Sequence, residues 1–210
     1  RYDTGSTTPA AEAGKIAEPG ILLRAGRELG MYVLPGPTLD EPGWSHPDLP
    51  WLAVRPDGQA SKPETGGWSA LIEAKAPKEL GAEWGNAGSS DVPVHYGVQA
   101  LAQLAIAARV HPEIRVCWVA ASARDARRGD RCWGLYPIER DEDRERRMLA
   151  RGYDWYRRHV EDGRPPMPDG SQSATEALVS VFRPVDRKIT ADGTNLTNFR
   201  RLLELRSVID

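Results

Sequence analysis

The segment from Val94 to Val110 most constrains the fold. Val98, Leu101, Ala102, Ala105 and Ala108 recur at helical spacing on one face, and His111-Pro112 ends the helix. The pattern then changes. Ile114, Val116, Trp118 and Ala120 alternate with Arg115, Cys117 and Val119, which is the period of a strand. A helix followed directly by a strand, each needing apolar cover, points to a layered α/β domain.

The rest of the chain fits the same class. Ala10 to about Leu29 reads as a helix with Ile16, Leu22, Leu23, Ala25 and Leu29 as its stripe, and Pro19-Gly20 as a local break or a helix start. Residues 35–50 read as a Pro- and Gly-rich loop. Trp51–Val54 is a short apolar run, Pro56-Asp57-Gly58 a turn, and 59–67 a second turn. Trp68–Lys75 reads as a strand, and these two short strands suggest a hairpin. Residues 76–93 are irregular. Cys132–Ile138 is a further strand, and a charged helix runs from Asp141 to about Asp162. Ala174–Phe182 is a short helix or turn, and a last helical stretch lies near Leu196–Leu205. The order of elements predicts a central mixed β-sheet flanked by helices.

Composition narrows the function. The 210 residues are 40% hydrophobic and 28% charged, enough for a packed core. Lys+Arg 28 against Asp+Glu 30 leaves a net charge of -2, which excludes a uniformly basic coat for nucleic acid; any such contact must come from a local patch. Cys117 and Cys132 cannot build a disulfide framework or a four-cysteine metal site, and both read as buried small hydrophobes. No apolar run approaches the ~20 residues that a bilayer requires. No basic-then-apolar leader pattern is present. A soluble, cytoplasmic protein without a membrane partner is expected. Residue 1 is Arg rather than Met, so the natural start is expected to lie upstream.

The chemistry concentrates in two places. Pro56-Asp57 is followed, after fifteen intervening residues, by Glu73-Ala74-Lys75. On a strand Glu73 and Lys75 point the same way, and a turn that brings Asp57 alongside adds a second carboxylate. Two carboxylates and an ammonium suit metal-assisted phosphodiester hydrolysis: hard oxygen ligands for Mg²⁺, a metal-held water as nucleophile, and a lysine to orient it and stabilise charge on phosphorus. The competing reading is a solvated ion pair, the usual fate of Glu-x-Lys on a strand. Tyr96, Gln99 and Gln103 share one face of the strong helix, and such a polar face needs partners.

Four stretches carry a family resemblance. They are Gly14-Lys15-Ile16-Ala17-Glu18-Pro19, the segment from His46 to Pro56-Asp57-Gly58, Leu71-Ile72-Glu73-Ala74-Lys75-Ala76-Pro77, and Val92-Pro93-Val94-His95-Tyr96-Gly97-Val98-Gln99. Tyr136–Asp141 and Pro165–Ser171 add to them. In order and spacing they resemble the YqaJ-type viral recombinase, or lambda exonuclease, branch of the PD-(D/E)XK nucleases, over about residues 12–185. That family usually has a further helix before the Gly-x-x-x-Glu-Pro stretch, close to where this chain begins.

The resemblance implies a restriction-endonuclease-like core over 1–185, shortened at its N-terminus, and a helical tail over 186–210. It implies Asp57, Glu73 and the Ala74 carbonyl as metal ligands, Glu18 facing the same cluster, Lys75 as the catalytic lysine, and Gln99 and Tyr96 in support. The metal would be Mg²⁺, with Mn²⁺ as a substitute. The implied activity is exonuclease digestion of linear double-stranded DNA from its ends, 5′ to 3′, for recombination by single-strand annealing. An annealing protein would be a partner, and a homo-oligomer, a toroidal trimer, is possible by the same resemblance. Its source would be phage. The alternatives are a structure-selective or nicking endonuclease on the same site, and a DNA-binding or packaging module that does not cut.

Outside this set, Trp84 in the Gly-rich 81–90 segment is a candidate for stacking on a base. Arg124, Arg127 and Arg128, with Arg131, form a candidate phosphate-contacting run. His46 reads as a loop histidine held by a turn, and the arginines of 144–158 as helix ion pairs.

Overall fold

The computed structural model describes residues 8–37, 41, 43–64, 67–124, 132–181, 192–193, 196–197 and 200–201. The chain divides into two compact units, residues 1–161 and 162–210. The first runs α1 (Pro9–Leu29), β1 (Tyr32–Pro35), β2 (Trp44–His46), β3 (Leu49–Val54), β4 (Gly58–Ser61), β5 (Trp68–Lys75), α2 (Val94–Val110), β6 (Val116–Ser122), β7 (Trp133–Glu139) and α3 (Glu142–Tyr156), which widens into a π-helical turn over Arg157–Glu161. The second contains α4 (Gln172–Val181). Among the described residues no helix is long and apolar enough to cross a membrane.

Five strands form one sheet in the order β1-β4-β5-β6-β7, and β2 and β3 pair separately. β5 and β6 are parallel and the other neighbours antiparallel. A parallel pair needs a crossover, and α2 lies within it. The expected α/β architecture, a central mixed sheet flanked by helices, is what the chain forms.

The alternation of β5 sorts its residues between two cores. Ala70 and Ile72 pack with Ile21, Leu22 and Ala25 of α1. Leu71 packs on the other side with Ala100, Leu104 and Ala107 of α2, and with Cys117, Val119 and Tyr136. Glu73 and Lys75 share the face of Leu71.

Several local expectations are corrected. The helix α1 runs unbroken through Pro19. Thr8 caps its start by accepting the Ala11 N–H, and Gly30 closes its end with φ 62°. Pro19 and Gly20 lie on the exposed side, while Ile21, Leu22, Ala25 and Gly26 are buried. That burial outweighs the proline's cost of about 3 kcal/mol. Of the expected stripe Leu22 and Ala25 are buried and Leu29 partly so, whereas Ile16 and Leu23 are exposed and Ile21 takes a place in the core instead.

The hairpin partner of β5 is β4, inside what reads as a turn, whereas the apolar run around Trp51–Val54 belongs to β3 and pairs with β2. Gly58-Gln59-Ala60-Ser61 carries almost no strand signal because it has no β-branched or aromatic residue, and Gly58 and Ala60 are small. Smallness is what the packing requires: a Cβ on Gly58 would sit 2.9 Å from Leu22 and 3.1 Å from Val33. Of the expected α2 stripe Ala105 is buried and Leu101, Ala102 and Ala108 partly so, while Val98 is half exposed and the buried side extends to Ala100, Gln103, Leu104 and Ala107. Cys117 is buried and Cys132 only partly so. His46 is buried at the end of β2, its Nδ1 accepting the Asp48 N–H at 3.2 Å.

Candidate active site

The strand β5 outruns its neighbour β4, whose pairing stops at Gly58 opposite Ile72. The next N–H on that side of β5 belongs to Ala74. The Asp57 side chain replaces the missing strand, with Oδ2 accepting this N–H at 2.8 Å. Gly36 braces the same turn: its N–H donates to the Asp57 carbonyl at 2.8 Å, and a Cβ there would stand 1.7 Å from the Pro56 carbonyl oxygen.

On the α2 face Glu73 is 1% exposed. Its Oε1 accepts from Lys75 Nζ at 2.5 Å and from Gln99 Nε2 at 2.6 Å. Its Oε2 accepts from Gln103 Nε2 at 2.6 Å. Lys75 Nζ donates also to Gln99 Oε1 at 3.0 Å and lies 4.8 Å from the centre of the Tyr96 ring, within cation–π reach. A buried carboxylate is tolerated when it is paired and hydrogen-bonded, and here one cation and two amides do this. The polar face of α2, Tyr96, Gln99 and Gln103, therefore closes over the Glu73–Lys75 pair. The solvated alternative for that pair is excluded by its burial.

Negative charge is concentrated around it. Burial pushes the Asp57 carboxyl up to about 7, the charges of Glu73 and Glu18 add to the rise, and the Ala74 N–H and Lys75 oppose it. Glu18, from α1, is raised as well, by burial and then by Glu73, with Lys75 and Lys15 pulling it down. Thus α1 brings Glu18 within electrostatic reach of the pair.

The donor set fits a hard divalent cation. Among the described residues no three His, Cys, Asp or Glu side chains form a metal cage. Mg²⁺ commonly takes only one or two carboxylates, completing its shell with water and substrate phosphate. Asp57 and Glu73 meet that requirement, and a dication would offset the burial and the repulsion that raise Asp57.

The candidate nucleic-acid contacts fare differently. Trp84 is 5% exposed, in the core beside Tyr96 and Tyr136 at ring-centre distances of 5.6 and 5.1 Å. This corrects its reading as a stacking platform, since a base needs an open ring face. Tyr96 is partly buried and turned to Lys75. Arg124 is exposed; its backbone N–H bonds the Pro77 carbonyl at 3.0 Å and its guanidinium reaches the Ala10 carbonyl at 3.4 Å. Arg127, Arg128 and Arg131 lie outside the described residues.

Gly36 escaped the sequence reading, because it carries no distinctive signal. Gln103, expected on the polar face of the helix and in need of a partner, finds that partner in Glu73.

Solved structures similar to the chain include an alkaline exonuclease (LHK-Exo) from Laribacter hongkongensis, at 19% identity and a TM-score of 0.47, and LHK-Exo in complex with dAMP, at 18% and 0.42. Each match covers 76% of this chain, and 78% and 77% of theirs. No curated protein matches significantly. The YqaJ-like viral recombinase domain matches residues 4–109, a span that holds Glu18, Asp57, Glu73, Lys75, Tyr96, Gln99 and Gln103 and stops before the resembling segments at 136–141 and 165–171. With just over half of its 210 residues matched, the chain belongs to the YqaJ-like viral recombinase domain family.

Proposed function

We propose that this protein is a metal-dependent DNA exonuclease that digests linear double-stranded DNA from 5′ to 3′, leaving a 3′ strand for a single-strand annealing partner. The observation that carries the proposal is the convergence of Asp57, Glu73, Lys75 and Gln99 at the end of β5 in a chain of the recombinase family. Polarity and partner rest on the family resemblance alone.

Asp57 and Glu73 would hold Mg²⁺, or Mn²⁺ in its place, with the Ala74 carbonyl as a further ligand and Glu18 beside them. The bound ion would supply a water acidic enough to attack phosphorus and offset charge on the leaving oxygen. Among the described residues the ammonium of Lys75 is the one cationic side chain bonded into the cluster. It would orient the attacking water and stabilise negative charge growing on the phosphoryl oxygens. Gln99 bridges Lys75 and Glu73 with the two ends of one amide and so fixes their separation. The Tyr96 ring limits where the ammonium can swing.

The test uses linear duplex DNA labelled at the 5′ or the 3′ end, in Mg²⁺ or in EDTA, beside a closed circle. Early release of the 5′ label in Mg²⁺ only, with the circle intact, is the expected result. Early release of the 3′ label would reverse the polarity. Cutting of the circle would make the enzyme an endonuclease, and binding without cutting of either would make it a non-cutting module.

A further inference from the structure

Behind the Glu73–Lys75 pair runs a second, wholly buried chain of hydrogen bonds. Gln103 is 1% exposed and Cys117 0%. The Cys117 Sγ–H donates to Gln103 Oε1 at 3.5 Å, and Gln103 Nε2 donates to Glu73 Oε2 at 2.6 Å. Three elements meet here: β6 through Cys117, α2 through Gln103 and β5 through Glu73. The parallel register pairs Leu71 with Cys117 and Glu73 with Val119, so Glu73 and Cys117 lie on one sheet face with Gln103 across them.

The chemistry of the neighbours fixes which way the amide faces. A carboxylate only accepts, so it takes the NH₂ end, and a thiol donates, so it takes the oxygen end. A glutamine on the core side of an apolar helix is costly unless both ends are satisfied, and here both are. Glu73 divides its oxygens accordingly. Oε2 is committed to Gln103 in the dry interior, and Oε1 is turned to Lys75 and Gln99.

We infer that Gln103 is a positioning residue, oriented by the Cys117 thiol, that locks the Glu73 carboxylate so that Oε1 is presented to the reaction site. This rests on the proposed role of Glu73 as a metal ligand. Outer partners of metal ligands typically change affinity or activity by about 10- to 100-fold. A merely structural glutamine would lower thermal stability and leave metal affinity untouched.

The experiment titrates the full chain with Mn²⁺ by calorimetry and measures kcat and KM on linear duplex DNA. Gln103→Met keeps an unbranched side chain of similar length without the donor. Its Mn²⁺ affinity should fall about 10- to 100-fold and kcat with it, while KM for DNA changes less than about threefold. Cys117→Val should weaken Mn²⁺ binding by about threefold or more through loss of the amide's anchor, and Cys117→Ser, which keeps a donor, should recover most of it. Wild-type affinity in folded Gln103→Met overturns the inference. Should that variant not fold, wild-type affinity in Cys117→Val does the same. A wild-type protein that binds Mn²⁺ but cuts no DNA defeats the nuclease reading, and the affinities still decide the role of Gln103. A wild-type protein that binds no Mn²⁺ overturns the positioning role together with the ligand role of Glu73.

Discussion

The Asp57 carboxylate accepts the Ala74 N–H at 2.8 Å, and this bond ties the turn before β4 to the strand residue between Glu73 and Lys75. It completes a sheet ladder that β4 leaves unfinished, and it also places a second carboxylate at the Glu73–Lys75 pair. One side chain thus serves architecture and site together, at a cost in electrostatic strain.

That cost has a pH dependence. The Asp57 carboxyl is raised from 3.8 to about 7, first by burial and then by Glu73. The folded state therefore holds this proton more tightly than the unfolded chain. The group's contribution to stability is fully present below about pH 3.8 and is lost as pH rises through about 7. Asp57→Asn keeps an oxygen for the Ala74 N–H and removes the charge. In EDTA it should melt about 3–8 °C above the wild type at pH 8 and show little gain at pH 4. Thermal melts at the two pH values check this; an equal shift at both would place the effect elsewhere. The same variant should lose Mg²⁺-dependent cutting.

Lys75 stands in a different position. Its ammonium offsets the charge of a carboxylate that is 2% exposed in its side chain. Lys75→Met removes that charge and keeps much of the packing against Tyr96. Cleavage should fall by about 10²- to 10⁴-fold, with duplex binding within about threefold of wild type by gel shift or anisotropy, because one phosphate contact contributes little to the total. Unchanged cutting by this variant would remove Lys75 from the reaction.

Much of this site was legible from residues alone, and for one reason. Strand alternation puts Glu73 and Lys75 on one face, and helix periodicity puts Tyr96, Gln99 and Gln103 on another, so these five positions needed only the two elements to meet. What was not legible depended on packing. The Gly58–Ser61 strand is hidden because it lacks β-branched and aromatic residues, and its first position must be glycine-sized to admit Leu22 and Val33. The helix α2 is apolar on nearly every side, so periodicity could not choose between the Val98–Leu101 side and the buried Ala100–Leu104–Ala107 side. Trp84 occurs in a Gly-rich segment that suggests exposure, yet that segment folds over the sheet and buries the ring against Tyr136.

Gly36 offers a test of the turn that carries Asp57. A methyl group there would stand 1.7 Å from the Pro56 carbonyl oxygen, a backbone atom that cannot rotate away. Gly36→Ala must therefore displace the 56–57 peptide and the Asp57–Ala74 bond with it. The expected outcome is a loss of about 1–3 kcal/mol in denaturant unfolding, with weakened Mn²⁺ binding in the protein that remains folded. A substitution at Gly14, around which the same added atom meets nothing within 4 Å, serves as the control. Wild-type stability and metal affinity in Gly36→Ala would show that the turn does not constrain Asp57.

At the end of β7, α3 is fastened by a two-pronged ion pair. Arg140 donates through Nε to Glu145 Oε1 at 3.1 Å and through Nη2 to Oε2 at 3.0 Å, with side chains only 14% and 7% exposed. Removing one partner leaves the other charge in a poorly solvated position. Glu145→Ala should therefore cost about 3 kcal/mol. In contrast, Arg146 and Asp143, 2.9 Å apart but 75% and 70% exposed, form a solvent-screened pair, and Arg146→Ala should change stability by less than about 1 kcal/mol. Urea unfolding of both variants separates the cases. None of these four residues bonds a member of the Glu73 cluster, so DNA cutting by folded Glu145→Ala at 20 °C should match the wild type. A loss of cutting there would mean that α3 supports the site through α2, against which it packs.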